Sequence, residues 1–245
     1  MTQDIRHVAV VGAGGMGALF GAILCEGGLE VTLVDTDHEH IDAIRQSGLR
    51  ISGLGGDRRL MLATAHDVTQ VEQADIVLVQ CKGTATREAA LALTHLADTG
   101  AVLLSFQHGR GNEDIRAEIL GVENVFGGLT SMAGARTGPG QIHDFDRVPS
   151  YIGEWGGGMS LRAEAIAAAF TAAGLETYAS ADIRAEIWKK LLGNMTMSAV
   201  SGVTNLTSAE ILQLDSLRKV CFTALDEAIS IAHSQNIDLD RDAVV

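Results

Sequence analysis

Short apolar runs alternate with amphipathic stretches along the first half of the chain. His7-Val8-Ala9-Val10-Val11 is a continuous apolar run, as expected of a parallel strand covered on both faces. Residues 18–25 read as a helix, stopped by Gly27-Gly28. Residues 30–35 predict a second strand and residues 40–46 a short helix. Residues 75–79 and 101–105 predict two further strands, with a helix from about Arg87 to Ala97 between them. Repeated βαβ units of this length imply an α/β fold with a doubly wound, mostly parallel sheet. From Gly127 to Gly153 the texture changes. Turn signals such as Thr137-Gly138-Pro139-Gly140 separate short strand-like runs, and this region is expected to form an antiparallel or mixed edge of the same sheet.

After Trp155 the run Gly156-Gly157-Gly158 punctuates the chain, and an Ala-rich helix is predicted over about residues 161–173, with Gly174 as its stop. From Ala181 onward the signals are helical. Thr207 followed by Glu210 forms a capping-box pattern. Leu217, Val220, Cys221, Ala224, Leu225, Ala228 and Ala232 trace one apolar stripe at helical spacing. The predicted organisation is an α/β domain over residues 1–178 and an all-α domain over residues 179–245. The chain stops at Asp242-Ala243-Val244-Val245 without a helix-stop signal, so a further helical portion is expected beyond it.

Composition narrows the function. The 245 residues carry 18 Lys and Arg against 31 Asp and Glu, a net charge of −13. A surface this negative repels phosphate backbones and anionic lipid, so neither nucleic acid nor membrane is an expected partner. The stretch from His7 to Cys25 lacks charged residues and is long enough to span a bilayer. Its five glycines, Gly12, Gly14, Gly15, Gly17 and Gly21, each cost a helix about 1 kcal/mol against alanine. A strand, a glycine turn and a helix explain it better. Cys25, Cys81 and Cys221 are far apart and odd in number, which fits a reducing compartment, the cytoplasm, and neither a disulfide framework nor a zinc site.

Gly12-Ala13-Gly14-Gly15-Met16-Gly17 matches G-x-G-x-x-G, and it follows a strand directly and opens a helix. That context marks a Rossmann dinucleotide-binding turn: the first glycine permits the tight turn, the second lets a pyrophosphate approach, and the third allows close packing. Asp35 ends the second strand about 18 residues beyond Gly17, where a carboxylate binds a ribose diol and repels a 2′-phosphate. Thr36-Asp37-His38-Glu39 supplies no arginine for that phosphate, so the local residues favour NADH over NADPH. A methyltransferase using S-adenosylmethionine shares the glycine turn and the acidic second strand and stays open at this point.

In the helical half, Glu186, Lys190, Asn194 and Ser198 recur every four residues. Each such step turns about 400° in an α-helix, so Lys190, Asn194 and Ser198 are predicted to share one face. A polar stripe in so apolar a helix needs partners or a ligand. The stripe reads either as a substrate groove, with Lys190 as general acid to a carbonyl that accepts hydride, or as a snorkelling lysine beside a satisfied core asparagine.

Trp188-Lys189-Lys190-Leu191-Leu192-Gly193-Asn194 resembles the W-x-K-L-x-x-N helix of the ketopantoate reductases (2-dehydropantoate 2-reductases). Gln107-His108-Gly109-Arg110-Gly111-Asn112 is similar to that family's Q-N-G-x-G-N loop. Gln80-Cys81-Lys82 resembles its V-K turn, and Gly134-Ala135-Arg136 with Gly138-Pro139-Gly140 its G-A…P-G segment. The resemblance runs in order over nearly the whole chain. It implies a Rossmann domain followed by a helical substrate and dimerisation domain, with substrate seated between them. It implies NADPH as the customary cofactor and a place in pantothenate biosynthesis. Lys190 becomes the catalytic lysine and Asn194 a substrate ligand, while Lys82 and Ala135 line the cofactor site. Two positions depart: His108 replaces the loop asparagine that touches substrate and nicotinamide, and Ser198 replaces the second helix asparagine. The family's C-terminal Ser and Glu have no counterpart in these 245 residues.

The expected function is thus reduction of a 2-oxo acid or related small ketone, with 2-dehydropantoate as default, by a protein forming a homodimer. A non-catalytic dinucleotide-binding redox sensor is the alternative. His38 and His40 are expected to be exposed at a helix start, and His95, His143 and His233 show no recognisable partner. No zinc-ligand pattern and no G-x-S-x-G elbow occurs, so no metal site is expected.

Overall fold

β1 (His7–Val11) buries Val8 and Val10 in one apolar cluster and Ala9 in another on the opposite face, as a strand covered on both sides requires. It belongs to the larger of two compact units, residues 1–183, in a computed structural model that describes residues 5–241. The smaller unit comprises residues 184–245. Residues 242–245, on which the expectation of a continuing helical portion rests, lie outside the described residues.

In chain order α1 (Gly15–Glu26), β2 (Glu30–Val34), α2 (His38–Ser47), β3 (Leu49–Gly53), β4 (Arg58–Leu60), β5 (Ala63–Ala65) and β6 (Ile76–Val79) come next. Then follow α3 (Thr86–Ala92), α4 (Thr94–Ala97), β7 (Val102–Ser105), α5 (Asn112–Leu120) and β8 (Val125–Leu129). β9 (Ala133–Gly138), β10 (Gln141–Asp146), β11 (Ser150–Glu154), α6 (Leu161–Ala172) and β12 (Thr177–Ala179) complete the unit.

The main sheet has eight strands in the order β12-β11-β8-β7-β6-β1-β2-β5. All neighbours run parallel except β8 and β11. β1 is flanked by β2 on one side and β6 on the other, so the chain order reverses there. In an open α/β sheet the crevice at the carboxyl ends of such strands is where ligands bind. The fold is the predicted Rossmann-type sheet followed by helices.

The region from Gly127 to Gly153 corrects the sequence reading in part. β8 and β11 do extend the main sheet, but β9 and β10 leave it and join β3 and β4 in a separate sheet, ordered β4-β3-β10-β9. β10 pairs parallel with β3, Gln141 opposite Arg50 and Ile142 opposite Ile51. The predicted helix over residues 87–97 is also two pieces. The Thr94 hydroxyl donates to the Leu91 carbonyl and His95 Nδ1 lies 3.0 Å from the Ala92 carbonyl, and such side-chain bonds compete with the helical ladder.

In the smaller unit, which takes all of α7 (Ile183–Gly193) but its first residue, that helix ends in a π-turn, Asn194–Ser198, before α8 (Ala199–Thr204), α9 (Ser208–Gln213) and α10 (Asp215–Ser234). Thr207 and Glu210 form the expected capping box. Its core joins Trp188 and Leu192 to Leu225, Ala228, Ile229 and Ala232. The α10 stripe is rotated from prediction: Val220 is 54% exposed, while Ile229 is buried.

Candidate cofactor and substrate site

The glycine loop joins β1 to α1, and backbone contacts dictate its glycines. Gly12 has φ +102°, and a Cβ there would lie 2.4 Å from the Cys81 nitrogen. A Cβ on Gly17 would lie 1.9 Å from the Gly12 carbonyl oxygen. Gly14 is the opposite case, with nothing within 4 Å of its Cβ position. It caps α1 without any side-chain hydrogen bond, and α1 has no acidic residue in its first turn. The helix therefore presents its first amides and positive dipole end to open space, which suits a diphosphate. Gly15 has a different reason. A Cβ there would sit 2.7 Å from Ala135 Cα, so β9 crosses directly over the start of α1. Ala135 thus lies beside the loop. Met16 is half-buried and packs on the core.

Asp35 is built into the loop. Its Oδ2 accepts from the Ala13 amide at 2.7 Å and its Oδ1 from the Asp37 amide at 3.0 Å. Asp37 caps α2 by accepting from the His40 amide, and it accepts from Arg136 Nη1 at 2.6 Å. Those bonds, Arg136 first, hold the Asp37 carboxyl below the usual carboxylate range. The end of β2 is therefore acidic, and Arg136 is already engaged there.

His40 is not the exposed residue that its setting in His38-Glu39-His40 suggested. It is 0% exposed, because it lies on the same face of α2 as buried Ile41 and Ile44. His38 is exposed and stacks on His66 with ring centroids 4.2 Å apart. The remaining histidines also have partners. His95 bridges the Ala92 and Val71 carbonyls, His143 meets Ser52 Oγ, and His233 meets the Leu239 carbonyl.

Two loops at neighbouring strand ends carry Lys82 and His108. Lys82 is exposed at the start of a 3-10 turn after β6. His108 is exposed between β7 and α5. Gln107 Nε2 donates to the Cys81 carbonyl at 2.6 Å, and Asn112 Nδ2 donates to the His108 carbonyl at 3.1 Å. Thr86 Oγ1 donates to Asn112 Oδ1 at 2.9 Å, so the two loops are bolted together. Beneath them Arg116, 0% exposed, pairs with Glu113 at 3.0 Å. Burial pushes the Glu113 carboxyl up and the Arg116 guanidinium down. Sequence reasoning missed this pair because Glu and Arg three apart in Asn-Glu-Asp-Ile-Arg-Ala-Glu read as a solvated helix surface.

On the smaller unit, Lys190 is half-buried, and desolvation lowers its ammonium below the usual lysine range. Asn194 and Ser198 are exposed. The uninterrupted α-helical stripe expected through all three holds only to Asn194. From there buried Thr196 turns its hydroxyl onto the Leu192 carbonyl at 2.8 Å, while the Thr196 carbonyl accepts from Cys221 Sγ of α10. These partners replace the i→i−4 ladder and admit the π-turn. Glu186 pairs with Lys189 at 3.0 Å. Among the described residues no cluster of His, Cys, Asp or Glu could hold a metal ion, and no helix is long and apolar enough to cross a membrane.

Comparison with known proteins supplies the family. The model described as "Ketopantoate reductase PanE/ApbA" matches residues 8–157, and its C-terminal companion matches residues 182–245. A 2-dehydropantoate 2-reductase of Halobacterium salinarum is 31% identical over 239 residues, covering 97% of this chain and 78% of that protein. Among solved structures, a D-mandelate dehydrogenase with NADH and anilino(oxo)acetate superimposes with a TM-score of 0.88 at 26% identity, covering 98% of this chain and 77% of that one. A PanE/ApbA family ketopantoate reductase from Ralstonia eutropha JMP134 gives 0.84 at 30% identity, over 98% and 79% of the two chains. These relatives carry enzyme names, and none supports a non-catalytic sensor.

Proposed function

This chain belongs to the ketopantoate reductase family, and we propose that it uses NADH to reduce a small 2-oxo acid, with 2-dehydropantoate as the default substrate and pantoate as the product. It is an oxidoreductase acting on a CH–OH group with a nicotinamide dinucleotide. The bound nicotinamide supplies the hydride; the protein supplies binding, orientation and a proton. Gly12, Ala13, Gly14, Gly15, Met16 and Gly17 form the turn that receives the diphosphate, and Asp35 the end that meets the adenosine ribose. Lys82, His108 and Ala135 serve the nicotinamide side. Asn194, Ser198 and His108 orient the substrate, the histidine donating to a polar oxygen where the family has an asparagine.

The observation that carries the catalytic reading is the half-buried Lys190 ammonium with its lowered pKa. A proton donor to a developing alkoxide works best when its pKa is brought toward the operating pH. Lys190→Ala should lose about 10² or more in kcat in steady-state assays while still binding NADH. In the reduction direction, kcat/KM should fall as pH rises through the pKa of Lys190, because the acid must carry its proton. Lys190→Arg should lose that alkaline limb. Unchanged kcat in Lys190→Ala would remove the lysine from the mechanism.

NADH is favoured over NADPH because Asp35 and Asp37 sit at the end of β2, with Arg136 committed to Asp37. The likeness to a D-mandelate dehydrogenase described with NADH and an aryl-bearing oxoacetate supports a second substrate class. Turnover of 2-oxo acids carrying aryl groups, set beside 2-dehydropantoate, decides between them. The exposed apolar side chains of Val203, Leu212, Val220 and Ile231 support homodimerisation through the helical unit, which sedimentation would read as twice the chain mass. The three free cysteines support a reducing, cytoplasmic setting, and a tagged chain recovered outside the cytoplasm would refute it.

A further inference from the structure

Ala13, inside the glycine loop, and Gly140, in the turn between β9 and β10, are far apart in sequence but meet the same imidazole. The Gly140 amide donates to His40 Nδ1 at 3.0 Å, and His40 Nε2 lies 2.9 Å from the Ala13 carbonyl. A backbone amide can only donate, so Nδ1 is an acceptor and the ring proton sits on Nε2, donating to Ala13. The imidazole is therefore neutral, with both nitrogens used and no exposure to water. Gly140 itself is tightly held. Its φ is +65°, a Cβ there would sit 3.1 Å from Ala43 Cβ on α2, and its carbonyl accepts from the Arg50 amide of β3.

We propose that His40 is a positioning residue for the dinucleotide, a neutral clamp that fixes the glycine loop against the β9–β10 turn and lets go when it is protonated. The inference rests on the reading of that loop as the cofactor site. Protonation would put a second donor on Nδ1, facing the Gly140 amide donor, so that bond cannot survive in place. The Ala13 carbonyl lies next to Gly14, whose open side is where the diphosphate must approach. Loosening Ala13 therefore loosens the anion-binding turn itself.

The charged groups facing the ring are Asp35 at the end of β2, Asp37 at the start of α2, and Arg136 on β9. Burial is the largest influence and lowers the His40 pKa, and Arg136 acts in the same direction. The Ala13 hydrogen bond, Asp35 and Asp37 oppose it. The sign follows. A group whose folded pKa is depressed adds stability above its unfolded pKa, about 6.5 for histidine, and that stability is lost as pH falls toward the folded value.

The two halves of the clamp can be separated. An asparagine oxygen reaches the position of Nδ1 and can keep the Gly140 bond, whereas a glutamine nitrogen reaches that of Nε2 and can keep the Ala13 bond; neither titrates. NADH affinity is measured by fluorescence titration from pH 8 to pH 5, and amide hydrogen exchange, corrected for its intrinsic pH dependence, over residues 12–17 and 138–142 without cofactor. In the wild type, affinity should weaken roughly threefold or more toward pH 5, and both segments should exchange faster. His40→Gln should bind NADH within about threefold of wild type at pH 7.5 and lose the acid limb. His40→Asn should bind about tenfold more weakly while keeping residues 138–142 protected. A parallel acid limb in wild type and His40→Gln, or unchanged exchange of residues 12–17 in His40→Asn, would overturn the clamp. Failure of the wild type to bind NADH or NADPH at any pH would instead overturn the cofactor reading, and exchange would still judge the clamp.

Discussion

Around the glycine loop, backbone lines the proposed diphosphate cradle and side chains hold the backbone. Asp35 takes the Ala13 amide, His40 takes the Ala13 carbonyl, and Gly12 abuts Cys81. On the segment carrying Lys190, Asn194 and Ser198 the roles are reversed. A helix supplies the frame, and the side chains themselves are presented, half-buried in one case and exposed in the other two. A diphosphate is the same in every dinucleotide, so its cradle can be rigid and tied down from several directions. A substrate pocket has to read one small molecule among many, and on the proposed reading Lys190, Asn194 and Ser198 would do so as groups that can be exchanged singly without disturbing the frame.

If the loops beside the cradle depend on what lies beneath them, the largest effect should come from below. Arg116→Met leaves Glu113 buried without its partner and should cost about 3–5 kcal/mol in urea unfolding. Adding Glu113→Leu should return much of that loss, because a well-packed apolar pair tolerates burial. A single substitution that unfolds no more easily than wild type would show that the pair supports nothing. Asp35→Ala should act next. Removing the carboxylate should shift the ratio of NADPH to NADH affinity about tenfold toward NADPH, and an unchanged ratio would show that Asp35 is not the selector. The smallest effect belongs to the helical unit, where Thr207→Ala removes one cap of α9 and should cost about 1 kcal/mol. Dinucleotide affinity should not move at all in that variant; a change would break the contrast between the two regions.

How much of this was legible depended on how local the cause was. β1, β2, β6 and β7 follow from apolar runs that need no knowledge of their partners. The capping box of Thr207 and Glu210 is likewise contained in four residues. β3 was overlooked although Leu49-Arg50-Ile51-Ser52 alternates, because its partner β10 lies about 90 residues on and the run is too short to stand out. The departure of β9 and β10 into a second sheet was hidden for the same reason. His40 was misjudged because polar neighbours outweighed a real signal: Ile41 and Ile44 place it on the buried face of α2. The π-turn had no signal in the pattern, since it depends on Thr196 and Cys221 being brought together by tertiary packing.

A π-turn holds a surplus residue, and its consequence is geometric. Removing one amino acid between Asn194 and Ser198 would let α7 and α8 merge into a regular helix with everything downstream close to its present orientation, because the wider turn is what absorbs the surplus residue. Chain length at that spot is therefore a buffer: one residue can be lost there while the helices on either side hold their course, and only the side chains inside the turn are re-aimed.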